Sequence, residues 1–89
     1  MNTIFVVGMI SDELICDVVR GKTEIKVNIN SEGNKIPVKV VGKMALTLKE
    51  YCSRGDIIGV KGKLVSNGDI YVLADKISFL SRKDDNNGE

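Results

Sequence analysis

Between residues 35 and 66 the hydrophobic period of this chain changes twice, and few folds accommodate the result. From Lys35 to Val41 the pattern alternates: Ile36, Val38 and Val40 share one face, and Pro37, Lys39 and Val41 share the other, the two-residue period of a half-buried strand. From Met44 to Cys52 the period lengthens. Met44, Ala45, Leu48, Tyr51 and Cys52 form one helical stripe opposite Thr47, Lys49 and Glu50, which predicts a short amphipathic helix, with Gly55 expected to close it in a left-handed cap. Alternation then returns, with Ile58, Val60, Gly62 and Leu64 against Lys61 and Lys63. The segment reads strand, helix, strand, with lysines on one strand face.

Strand signals fill the rest of the chain. Thr3 to Met9 is a nearly continuous apolar run, which predicts a strand covered on both faces, by a barrel wall or by a partner chain. Ser11-Asp12-Glu13 breaks it, and Leu14 to Val19 resumes as the curled second half of the same element. A basic turn, Arg20-Gly21-Lys22, leads into Thr23 to Asn30, where Ile25, Val27 and Ile29 point inward and Lys26, Asn28 and Asn30 outward. Ser31-Glu32-Gly33-Asn34 is a short hairpin loop, and Asn67-Gly68 is the strongest two-residue hairpin signal in the chain. Pro37 cannot donate to a ladder, so its end of the third strand belongs at an edge or bulge. Ile70 to Leu80 is the last strand. The expected fold is all-β with one short helix: a five-stranded OB-fold barrel over residues 1–81, the helix plugging its open end. Residues 82–89 are expected to form a short, disordered acidic tail.

Composition narrows the function. A chain of 89 residues is one domain that buries a little over ~60% of its unfolded surface, so association between copies would help it. Histidine is absent, which excludes many common catalytic arrangements, and no phosphate-cradling glycine loop or dinucleotide fingerprint occurs; neither an enzyme nor a cofactor is expected. Cys16 and Cys52 form no close pair and are expected as buried thiols rather than metal ligands. The apolar runs fall well short of the ~20 residues of a membrane span, and no cleavable leader is recognisable, so a cytoplasmic protein is expected. The formal charge of +1 conceals an uneven distribution: residues 20–63 carry ten basic residues against Glu24, Glu32, Glu50 and Asp56, while residues 1–19 carry only acids. Positive charge is thus concentrated in the central strands.

The same segments carry a family resemblance. Val40-Val41-Gly42-Lys43, the helix with Leu48-Lys49-Glu50-Tyr51, Arg54-Gly55-Asp56, Val60-Lys61-Gly62-Lys63-Leu64, the final Ile77-Ser78-Phe79-Leu80 and the opening Asn2 to Gly8 together resemble a bacterial single-stranded DNA-binding protein over roughly residues 2–80. The resemblance implies an OB-fold homo-oligomer, dimer or tetramer, whose first strand helps to pair subunits. It further implies single-stranded DNA held without chemistry during replication, repair or recombination.

Single strands are held by cations that track phosphates and by flat side chains on which bases stack. Candidates for the first device are Lys26, Lys39, Lys61 and Lys63 on strands, Lys35 and Lys43 flanking the third strand, and Arg20 and Lys22 at the first hairpin, with Asn28 among the strand lysines. The second device is sparse. Phe5, Tyr51 and Phe79 are expected in the core, and Tyr71 alone on the exposed face, either stacking on a base or packing across strands. The chain departs from the family here. Lys35 stands where a tryptophan usually opens the third strand, Val41 where an aromatic precedes the Gly-Lys pair, and Asn67-Gly68 replaces a long hairpin that often bears another tryptophan. At about 1–3 kcal/mol per stacked base, three missing platforms imply weaker, more salt-sensitive binding. The short tail also lacks the family's terminal Pro-Phe. Two alternatives remain open: a primosome-type dimeric OB-fold accessory protein, and an OB-fold used only for protein–protein contact.

Overall fold

The computed structural model describes residues 1–81; residues 82–89, where the sequence predicts the acidic tail, and the side chain of Ser81 lie outside the described residues. Six strands and one helix follow in the order β1 (Ile4–Ile10), β2 (Ile15–Val19), β3 (Lys22–Ser31), β4 (Asn34–Val41), α1 (Lys43–Tyr51), β5 (Ile57–Asn67) and β6 (Asp69–Ser81). The sheet runs β1-β5-β6-β4-β3, and β3 returns to β1 through Met9↔Asn30 and Ile10↔Ile29. Five strands therefore close into a barrel, antiparallel except at β4–β6, which is the OB-fold arrangement. β2 lies outside the ring and pairs only with β3.

Local chemistry sets the register. Glu32 (φ 54°) and Gly33 (φ 85°) both adopt left-handed conformations, as a two-residue hairpin loop requires, and the Asn30 side-chain oxygen accepts from the Gly33 N–H at 3.0 Å. That loop places Lys26 opposite Lys39 and Ile25 opposite Val40, so the alternation on both strands agrees about which face is inside. Ile25, Val27, Ile29, Val38, Val40, Ile58, Val60, Val72 and Ala74 meet in the barrel interior. Pro37 sits one residue before the short parallel β4–β6 ladder begins at Val38↔Val72, where its missing N–H leaves no gap in the pairing.

Two glycines are needed for closure. A Cβ on Gly8 would strike the Asn30 carbonyl and Ile29 where β1 crosses β3, and one on Gly62 would strike the Leu73 carbonyl where a bulge shifts the β5–β6 register between Lys61 and Gly62. Extra residues at such points bend and twist a strand, which a small barrel requires.

α1 starts at Gly42 (φ 74°), whose N–H donates to the Thr23 carbonyl at 2.8 Å, tying the helix to β3. Ala45, Leu48 and Cys52 are buried against the barrel interior. The helix ends at Tyr51 with Cys52 extended. Gly55 (φ 102°) is therefore not its cap as expected; it belongs to the following turn, in which Asp56 accepts from the Ser53 N–H at 2.9 Å and Gly55 N–H donates to the Ile10 carbonyl.

Several residues expected in the core are outside it. Phe5 is 69% exposed, and Tyr51, Phe79 and Cys16 are exposed as well. Phe5 lies on the outer face of β1, which the single chain does not cover. Tyr51 is at the margin of its stripe: at about 100° per residue, Ala45, Leu48 and Cys52 fall within about 60° of one another and Tyr51 falls beyond that arc. It packs instead against Phe79, with ring centroids 6.4 Å apart. Cys16 is on β2, whose five residues are all exposed. No helix of the described residues is long and apolar enough to cross a membrane.

Candidate nucleic-acid interface

The registers align four strands' worth of outward side chains into one cross-strand row. Lys26 on β3 faces Lys39 on β4, Lys39 faces Leu73 on β6, and Leu73 faces Lys63 on β5. With neighbouring strands about 4.8 Å apart, the row from Lys26 to Lys63 spans about 14 Å. Three cations that are 37 residues apart in sequence from first to last thus lie on one line. Ile15 of β2 extends the line beyond Lys26.

Beside the row lies an open groove of about 440 Å³, lined by Lys26, Pro37, Lys39, Asn67, Ile70 and Tyr71 among others. The β5–β6 hairpin forms its far wall; Gly68 (φ 85°) supplies the left-handed residue of that turn. Tyr71 is half-buried, with Val65 as its cross-strand partner. The Lys39 ammonium stands 4.5 Å from the centre of its ring, a cation–π geometry. Both readings of Tyr71 therefore meet in one residue: the ring packs across the sheet and also borders the groove.

Three carboxylates enter this surface: Asp69 lines the groove, and two others stand against lysines. Lys39 Nζ lies 3.6 Å from Glu24 Oε2, and Lys35 Nζ lies 3.3 Å from Asp12 Oδ2. The same Asp12 oxygen accepts from Asn28 Nδ2 at 3.0 Å and from Ser11 Oγ at 3.3 Å. The Asn28 amide, followed by the Lys35 ammonium, holds the Asp12 carboxyl below the usual carboxylate range.

Of the residues singled out from sequence, Lys26, Lys39, Lys63 and Tyr71 come together at the row and groove. Asn28 and Lys35 lie further along the same hairpin, joined through Asp12. Lys61 is on the neighbouring row, opposite Phe5 and Lys76, and Lys43 opens α1 past the end of β4. Sequence reasoning missed Ile70 and Asn67 as groove walls and the two carboxylates that stand against lysines. The Glu24 contact follows from the hairpin register, whereas nothing local links Asp12 to residues 16 and 23 positions later.

No protein-family model matches the chain, and no curated protein matches it by sequence. Solved structures match it in fold. The second single-stranded DNA-binding protein (SSBb) of Mycobacterium smegmatis superposes with a TM-score of 0.81 at 20% identity, covering 88% of this chain and 87% of that one. The SSB domain of a Synechococcus sp. protein gives 0.80 at 14% identity over 88% and 94%. The single-stranded DNA binding protein of Thermus aquaticus gives 0.82 at 16% identity over 92% of this chain and 41% of that one. At these identities the likeness is one of fold: the barrel, the helix and the connectivity are shared.

Proposed function

We propose that this chain is a non-enzymatic single-stranded DNA-binding protein, acting as a cytoplasmic homo-oligomer in replication, repair or recombination, with residues 1–81 as its binding domain. The observation that carries the reading is the row Lys26–Lys39–Lys63 beside a groove walled by Tyr71 and Ile70. It joins a phosphate track to an aromatic surface, the two devices that single-strand binders need. The three bacterial single-stranded DNA-binding structures that share the fold support the choice of ligand.

The outer face of β1 supports self-association. Phe5, Val7 and Met9 are exposed there, and Val7 and the exposed Leu80 of β6 flank Gly59 of β5. Pairing two such faces would cover the apolar side that the barrel leaves bare, in agreement with the continuous apolar run in the sequence. A second copy also doubles the number of lysine rows on one strand. The dimeric, primosome-type accessory reading draws on the same face and on the tight turn at Gly68 that joins β5 to β6.

Fluorescence anisotropy of a labelled oligothymidine of about 35 nucleotides, at two salt concentrations and with a duplex control, tests the proposal. Preferential single-strand binding that weakens steeply with salt is expected. No single-strand binding at low salt would assign the barrel to protein–protein contact instead.

A further inference from the structure

The lysines of β4 do not stand free on the interface. Lys35 faces Asp12 at 3.3 Å, and Lys39 faces Glu24 at 3.6 Å. Among the described residues, Lys26, Lys61 and Lys63 have no carboxylate within 4 Å. Both acids are held in place, Glu24 by burial and the more exposed Asp12 by hydrogen bonds. Asp12 is held by Asn28 and Ser11, and the Ser11 N–H is tied to the Asn28 carbonyl at 2.9 Å. The Glu24 and Lys39 side chains are only 16% and 25% exposed, so salt screens that pair less than an open one. Glu24 also sits directly opposite Asp17, a like-charge pairing that costs stability unless a cation is near; Lys39 is that cation.

We propose that Asp12 and Glu24 are internal counter-ions that keep the two β4 lysines of the interface neutralised, and that a single strand engages Lys35, Asn28 and Lys39 only by displacing them. This inference rests on the single-strand reading. Lys26 and Lys63 make the first phosphate contacts, and the β4 lysines follow when backbone oxyanions replace the two carboxylates. A lysine already balanced by a fixed carboxylate brings little net charge to the strand and releases few counterions. The salt dependence then reports fewer cations than the lysines present, at about 0.7 per unmasked contact on single strands.

The test is the same oligothymidine titration, over several salt concentrations, on the wild type, Asp12→Asn, Glu24→Gln and the double variant, each verified as folded by circular dichroism. Glu50→Gln, the same charge change on the exposed face of α1, is the control. Each unmasked variant is expected to bind about three- to fivefold tighter at low salt, and its log–log salt slope is expected to steepen by about 0.7. Adding Lys35→Gln is expected to cancel the gain from Asp12→Asn, because the acid acts through that lysine. A wild type that binds, with both variants no better than Glu50→Gln, would overturn the counter-ion role and leave the single-strand reading standing. If neither the wild type nor the double variant binds at low salt, both fall together.

Discussion

Lys39 stands between groups with opposing demands: the Glu24 carboxylate at 3.6 Å, the Tyr71 ring at 4.5 Å and the open groove. Tyr71 is the one aromatic that borders that groove, so under the proposed function its ring is the platform for a base there. Tyr71→Ala is expected to weaken single-strand affinity by about 1–3 kcal/mol, whereas Tyr71→Phe keeps the ring and most of the affinity; dissociation constants for the pair separate ring from hydroxyl. Asp12 makes a prediction of a different kind. Its carboxyl is more acidic in the fold than in the unfolded chain, so its contribution to stability is present at neutral pH and is lost as the pH falls below the ordinary carboxylate range. Urea midpoints measured against pH should show Asp12→Asn less stable than wild type near neutrality and equal to it in acid.

At the scale of elements, barrel closure depends on positions where a side chain has no room. Gly62 packs onto the Leu73 backbone at the β5–β6 bulge, so Gly62→Ala is expected to cost about 1–3 kcal/mol, read as a lowered thermal midpoint with the β-sheet circular dichroism retained. The elements themselves were legible in the sequence. Alternation on β3, β4 and β5 identified their inner residues except Leu64, which is exposed beyond the β5–β6 bulge, and Glu32-Gly33 and Asn67-Gly68 marked turns that occur where predicted. What alternation does not reveal is whether an outer face has a cover. Phe5 and Tyr51 look like core residues by type, and their exposure depends on the margins of the barrel rather than on their neighbours in sequence. The site divides along the same line. The lysines were readable because outward strand positions are fixed by parity, but their counter-ions were not, since Asp12 reaches Lys35 only through the β1–β3 closure.

At the scale of the molecule, the exposed face of β1 and the lysine row belong to one design if a second copy covers the former. Under the proposed self-association, Phe5→Lys places a charge in that apolar face and is expected to leave the protein monomeric in light scattering. Single-strand affinity should then fall by at least ~100-fold as the avidity of linked sites is lost. The most direct test of the binding surface is the salt slope of oligothymidine binding for Lys26→Gln/Lys39→Gln/Lys63→Gln beside Lys49→Gln, whose lysine lies on the exposed helix face. With Lys39 largely balanced by Glu24, the row variant is predicted to lose about 1.4 from the slope, two unmasked contacts at about 0.7 each, and most of its affinity, with Lys49→Gln unchanged. Equal small losses in both variants would mean that the strand is held by diffuse charge, and that the row is not the site.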